Sequence, residues 1–177
     1  MNVGNAYMFG KIYRFGQKVV RSGNGGRGEL PGNFATIYAE NPIAHLAQLH
    51  RLMDGAGMSD EQDELLSKMI DCLDPEELSG PLSDEERGAL VVGMWSGTFP
   101  LTVAQAAEVE GITEAGVRRR ISDGKMPATK CGKEWLIWST KPYSRLIAEL
   151  SAEADRGDAD AVPAEAAAAL YNAKEKE

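Results

Sequence analysis

The sequence predicts a mainly α-helical protein, a helical bundle followed by a two-helix unit that carries a small β-hairpin. Three observations predict it. Apolar residues recur at three- and four-residue steps through most of the chain, the period of helices that bury one stripe. Two pairs, Ser59 with Gln62 and Ser83 with Glu86, stand where such runs begin and have capping-box spacing. A compact strand signal, Met126-Pro127-Ala128 through Trp135-Leu136-Ile137, is folded about Cys131-Gly132.

The elements follow in order. Met8, Ile12, Phe15 and Val19 define the buried stripe of a first helix from about Asn5 to Val20. On another side Lys11, Arg14, Lys18 and Arg21 recur at helical steps and line one face. Gly23 to Gly32, with Pro31, breaks that helix. A second helical region starts near Asn33 and resumes after Pro42, with Ile43, Leu46, Leu49, Leu52 and Met53 as its apolar face, and Asp54-Gly55-Ala56-Gly57 ends it. Capped by Ser59, the third helix carries Leu65, Leu66, Met69, Ile70 and Leu73. Ser83 caps the fourth, whose face is Leu90, Val91, Met94 and Trp95. Short polar loops between such helices favour an antiparallel bundle. Gly97-Thr98-Phe99-Pro100 closes the bundle, giving expected units of 1–97, 98–145 and an acidic tail, helical or disordered, over 146–177. Tyr143, Leu146, Ile147 and Leu150 keep helical spacing beyond Pro142, and Ala164 to Ala173 reads as a solvated helix or as disorder.

Charge is unevenly spread along the 177 residues, whose formal net charge is -8. Residues 1–30 hold five basic side chains against one acidic, and residues 101–145 hold eight against five. Between them residues 31–100 hold three basic against thirteen acidic, so two basic zones flank an acidic one. Such asymmetry points to parts with different partners. No run of eighteen apolar residues occurs, so a membrane partner is not expected. The first thirty residues lack the apolar core of a signal peptide, and two cysteines, Cys72 and Cys131, are too few for a disulfide scaffold and lack metal-ligand spacing. A reducing cytoplasm is the expected compartment.

Residues 101–139, LTVAQAAEVEGITEAGVRRRISDGKMPATKCGKEWLIWS, carry the strongest functional signal. Thr102 caps a short helix containing Val103, Ala106, Ala107 and Val109. Gly111 sits where a tight inter-helix turn needs a positive φ. Ile112 plugs the angle, and Thr113 caps a second helix with Val117 and Ile121 facing inward. In such a pair the second helix enters the major groove. Arg118, Arg119 and Arg120 lie on it, and three consecutive residues span about 200° of a helix, so not all face one groove. Arg118 and Arg119 are the expected DNA contacts; Arg120 either meets a phosphate or pairs with an acid. Lys125, Lys130 and Lys133 on the hairpin suit phosphate contacts.

LTVAQAAEVEGIT, GVRRRISDGKMPA and GKEWLI closely resemble the excisionase-like helix-turn-helix family, related to MerR-type winged domains. The resemblance covers about forty residues and implies a winged helix-turn-helix that binds double-stranded DNA through its second helix and a short wing. It makes Thr113, Arg118, Arg119, Lys125, Lys130 and Lys133 the contact set. Glu114 and Gly116 depart from the pattern: Glu114 accepts from a cytosine amino group or repels phosphate, and Gly116 weakens the helix by roughly 1 kcal/mol relative to alanine.

NAYMFGKIYRFGQKVV, NFATIYAENPIAHLAQLHRLM and ELLSKMIDCLDPEELSGPLSDEERGALVVGMW resemble, in order, the small-subunit-like C-terminal region of the large subunit of type I-C CRISPR effector complexes. The matching steps include Gly10 to Tyr13 and the LSDEERGALVVG run, and the resemblance covers about residues 4–96. It implies a helical bundle whose Lys11, Arg14, Lys18 and Arg21 face a nucleic-acid strand or a neighbouring subunit. Tied to a DNA-binding module, the chain resembles anti-CRISPR proteins that also repress their own promoter. Two other readings stay open: a phage- or mobile-element-type regulator, expected as a homodimer, and a structural subunit of a nucleoprotein assembly.

Enzyme chemistry is not expected, nor is any cofactor or metal. His45 and His50 are five apart, about 140° around a helix, and cannot form an i, i+4 metal pair. GNGGRGELPG lacks the Gly-Lys-Ser/Thr ending of a phosphate-binding loop. Asp60, Glu61, Asp63 and Glu64 sit at a helix start, where they favour the dipole. Lys130 and Lys133 beside Cys131 favour its thiolate, but no histidine is near it in sequence.

Overall fold

A computed structural model describes residues 2–23, 42–74, 76, 82–96, 100–156, 168–170 and 172. The glycine-rich segment after Gly23, the helix start near Asn33, the 97–99 boundary and much of the 164–173 alanine run lie outside the described residues, as do the side chains of residues 42–45, His45 included. The fold is mainly helical with one small antiparallel sheet. Its elements are α1 (Val3–Gly23), α2 (Pro42–Gly55), α3 (Asp60–Asp71), α4 (Asp84–Trp95), α5 (Val103–Glu110), α6 (Glu114–Ser122), β1 (Ala128–Cys131), β2 (Glu134–Ile137) and α7 (Tyr143–Arg156).

Both expected capping boxes form. The Ser59 hydroxyl accepts from Gln62 N while Gln62 Oε1 accepts from Ser59 N, and Ser83 with Glu86 repeats the arrangement. Each box satisfies two donors that a helix start otherwise leaves open. Asp60, Glu61 and Asp63 fill the first turn of α3, and Asp84, Glu85 and Glu86 that of α4, where negative charge meets the positive helix end.

α1 is the central helix of the bundle rather than an amphipathic side wall. Tyr7, Met8, Phe9 and Ile12 are each at most 1% exposed, and Ala6, Tyr13, Gly16 and Val20 are buried with them. The stripe read from the sequence, Met8, Ile12, Phe15 and Val19, is a subset of this; Phe15 is only half-buried. A helix is covered on several sides when partners surround it, and α1 packs against α2, α3, α4 and β1.

The backbones of α1 and α4 approach closely, and two glycines make that approach possible. A Cβ on Gly10 would land on the Leu90 carbonyl oxygen and lie 3.0 Å from Met94 N. A Cβ on Gly93 would land on the Tyr7 carbonyl oxygen and 3.2 Å from Gly10 Cα. Only residues without a Cβ let the backbones meet there.

Two hydrophobic clusters result. The larger holds α1, α2, α3 and α4 side chains together with Trp138, Ile147 and Leu150. The smaller is Val103, Ala106, Ala107, Val117, Met126 and Ile137. The boundary expected after residue 145 falls inside α7, whose Ile147 and Leu150 are buried in the larger cluster. Leu170, from the segment read as a solvated helix or disorder, is fully buried there too.

The hairpin pairs Ala128 with Ile137 through Cys131 with Glu134, and an isolated bridge joins Leu101 to Ile137 with both N–H···O distances at 2.8 Å. Cys72, the C-cap of α3, forms a disulfide with Cys131 at the end of β1, the Cα atoms 4.7 Å apart. This corrects the expectation of two unconnected cysteines, with Cys131 a thiol tuned by lysines. The residues are 59 apart in sequence, and only the packing of the hairpin against the bundle brings them together.

Replacing Gly93 by Ala should lower unfolding free energy by roughly 3 kcal/mol, because neither helix backbone can yield without opening the core. Gly55→Ala, where a Cβ meets nothing within 4 Å, serves as the control. Urea denaturation of the two variants would separate a packing constraint from a general glycine effect; equal midpoints would refute the constraint.

Candidate nucleic-acid interface

The second half of the chain builds a compact unit from its caps inward. Thr102 caps α5 with a full capping box to Gln105. Gly111 ends it at φ 62, the left-handed conformation the turn requires. Ile112 packs against the smaller cluster, and the Thr113 hydroxyl accepts from Gly116 N at 3.1 Å to start α6. Val117 is fully buried and Ile121 half-buried on the inner side of α6.

The three arginines of α6 have different neighbours. Arg118 Nη2 donates to Glu114 Oε2 at 2.9 Å, one helical turn earlier. Arg119 Nε lies 4.0 Å from Asp123 Oδ2, and its side chain is 85% exposed. Arg120 turns the other way and donates from Nη1 to Glu110 Oε2 at 2.8 Å, joining the end of α5 to α6. Of the two roles open to Arg120, the acid partner is the one the fold supplies. Glu110 is held below the usual carboxylate range first by the Thr140 hydroxyl and then by Arg120. Solvent still reaches this half-buried pair, so its consequence is orientation of α6 on α5 more than stability.

Thr113, the first of the expected contacts, is exposed, and its oxygen serves as the helix cap. Lys125, Lys130 and Lys133 are all exposed, on the turn after α6, on β1 and at the hairpin tip. Lys130 Nζ lies 5.9 Å from the Trp135 ring centroid. The outer side of α6 and the hairpin therefore present cations to solvent, whereas Glu114 partly compensates Arg118.

Neighbouring residues fix this unit to the bundle. Trp138, just after β2, stacks on Tyr7 with centroids 3.9 Å apart and planes 6° from parallel, and Tyr143 meets it edge-on at 5.9 Å. Trp138 Nε1 donates to Thr129 Oγ1 at 2.9 Å, and the Thr129 hydroxyl donates to the Gly4 carbonyl at 3.3 Å. Neither Tyr7, Thr129 nor Glu110 stands out in the sequence; the aromatic Trp135 and Trp138 read simply as hairpin residues.

The four cations of α1 do not form the single exposed face their spacing predicts. Lys18 and Arg21 are exposed, Arg14 is half-buried, and Lys11 is 8% exposed. Lys11 Nζ donates to the Ser96 carbonyl at 2.5 Å, at the C-terminal end of α4, and stands 5.7 Å from the Tyr7 ring centroid. A cation there meets the negative end of the helix dipole. Burial, and then the positive charge of Lys18, bring its pKa down to about 8. His50, by contrast, lies on the surface within 3.2 Å of Asp54 and 3.6 Å of Asp63.

Among the described residues, no group of three or more His, Cys, Asp or Glu side chains converges to hold a metal, and no helix is long and apolar enough to cross a membrane. No protein-family model, curated protein or solved structure matches the chain.

Lys11 should titrate near pH 8, against an ordinary 10.5, when followed by nitrogen NMR of the side chain. Its folded value is below the unfolded one, so the unfolded chain binds the extra proton and stability should rise as pH climbs from about 8 to 10.5. Lys11→Met should flatten that rise; an unchanged slope would assign it to other groups.

Proposed function

We propose that the chain is a non-catalytic DNA-binding protein in which α5 and α6 act as a helix-turn-helix and the β1–β2 hairpin as its wing. The observation that carries this reading is the outer side of α6. Arg118 and Arg119 are exposed there on a helix whose inner side is anchored by Val117 and whose angle to α5 is set by the Gly111 turn and the Arg120–Glu110 pair. Arginines on a helix of this size can donate in pairs to guanine in the major groove. Lys125, Lys130 and Lys133 supply phosphate contacts, which fix register without reading sequence. Arg120, engaged with Glu110, stays out of the contact set.

On this reading Arg118→Glu with Arg119→Glu should abolish binding to the preferred site in a footprinting assay. Lys130→Gln with Lys133→Gln should weaken binding to all sequences alike and lower the salt slope by about 1 for each lysine that no longer meets a phosphate. Loss of sequence preference in the lysine variant, or its survival in the arginine variant, would overturn the assignment of roles.

For the bundle we infer a second role from its resemblance to the small-subunit-like region of the type I-C effector large subunit: it takes that region's place and inhibits the complex, while the α5–α6 unit represses the gene's own promoter. In support, the two segments that carry the resemblance, around Gly10–Tyr13 and Leu82–Gly93, pack on each other at the α1–α4 crossing. The test is a pull-down of the tagged chain against a reconstituted type I-C effector complex, with and without its own small subunit. Capture that the genuine subunit competes away supports mimicry. No capture discards the second role and leaves a DNA-binding regulator.

A further inference from the structure

Beside the basic side of α1 lies a cavity of about 470 Å³, within the range of small-molecule sites. Its floor and walls are apolar: Phe15 and Val19 from α1, Leu65 from α3, and Met94 with Trp95 from the end of α4. Lys11, Arg14 and Lys18 stand along one side, and Gln62, Ser22 and Ser96 complete the polar lining. The described lining residues bring three cations and no carboxylate.

Lys11 has a structural task there, holding the Ser96 carbonyl at the end of α4. Arg14 and Lys18 do not share it. Arg14 Nη1 reaches Gln17 Oε1 at 3.4 Å, a long contact within its own helix. Like charges at three- and four-residue steps destabilise a helix, and burying one of them adds a desolvation cost. Both costs are present, since burial and the Lys18 charge together depress Lys11. An anion would relieve the first cost. Phe15 and Trp95, both half-buried, offer ring surface beside the cations.

We propose that this cavity is a binding site for an aromatic organic phosphate of mononucleotide size, its phosphate held by Arg14 and Lys18 and its ring against Phe15 and Trp95. The proposal does not depend on DNA binding by α6 or on effector mimicry. The same chemistry reaches the site either as a free nucleotide or as the end of a single strand, and the free nucleotide is the ligand proposed.

Equilibrium dialysis of the full chain against AMP, GMP, CMP and UMP tests it, with inorganic phosphate and a ten-residue oligothymidylate as separate arms. Saturable binding of at least one mononucleotide is expected, weakened tenfold or more in Arg14→Gln/Lys18→Gln and unchanged in Lys68→Gln. Lys18 is exposed and Arg14 half-buried, and the circular dichroism of the double variant should match the parent. A bound nucleotide should also raise the Lys11 titration midpoint in nitrogen NMR. No saturable mononucleotide binding overturns the proposal. So do binding of inorganic phosphate with equal affinity, binding of the oligonucleotide alone, and nucleotide binding that the double variant leaves intact.

Discussion

The contact on which the rest of the structure depends is the approach of α1 to α4 through Gly10 and Gly93. Carbonyl oxygens of Tyr7 and Leu90 occupy the spaces where Cβ atoms would otherwise stand. That closeness makes α1 a central helix, because α4 covers one side at backbone distance and α2, α3 and β1 cover others. Burying the apolar side chains of this 21-residue helix is a large part of the hydrophobic gain open to a bundle this small. Tyr7, on the residue whose carbonyl meets Gly93, is thereby held in place as a flat surface for Trp138. Its phenol is pushed up by burial, with the neighbouring Ser96 hydroxyl opposing only part of the rise.

From Trp138 the constraint passes to the second half of the chain. Successive side chains along a strand point to opposite sides. Ile137 enters the smaller cluster with Val117 and Ala106, while Trp138 enters the larger one against Tyr7. One residue step thus carries the chain from one core to the other. The Thr129 hydroxyl, the Cys72–Cys131 disulfide and the Trp138 stack tie the hairpin to α1 and to the end of α3 at three separate points. Asn5 adds a fourth constraint nearby, pairing its amide with both the N–H and the carbonyl of Asp74 at 3.0 and 3.1 Å. A hairpin anchored this way is a rigid base for α6, not a pendant one.

Local features of this arrangement were legible in the sequence and relational ones were not. Ser59 and Ser83 cap helices where their spacing to Gln62 and Glu86 says they should, and Thr102 and Thr113 cap the next two as read, because a cap is decided within four residues. Gly111 and the hairpin turn belong to the same class. The central place of α1 was not legible, since periodicity reports one stripe and cannot say how many partners surround a helix. Lys11 shows the same limit: its spacing to Arg14 and Lys18 is that of a solvated face, and only the position of α4 buries it. Cys72 and Cys131, 59 residues apart, meet only through packing. At α6, spacing showed that the three arginines diverge, but choosing Glu110 as the partner of Arg120 needed the angle between two helices.

The two basic zones of an otherwise acidic chain therefore carry charge in two physical settings. On α6 and the hairpin, Arg118, Arg119, Lys125, Lys130 and Lys133 stand in water, where a cation is cheap to hold and reaches an external polyanion at long range. On α1, Lys11 is buried and Arg14 half-buried beside an apolar cavity, where charge is costly and a matching anion gains most, while Lys18, also on its lining, is exposed. Surface cations lose their hold on an anion as salt rises, whereas partly buried ones are screened much less. Net charge averages over both settings and distinguishes neither. The distinction comes from burial, and burial of Lys11 follows from the glycine-set distance between α1 and α4.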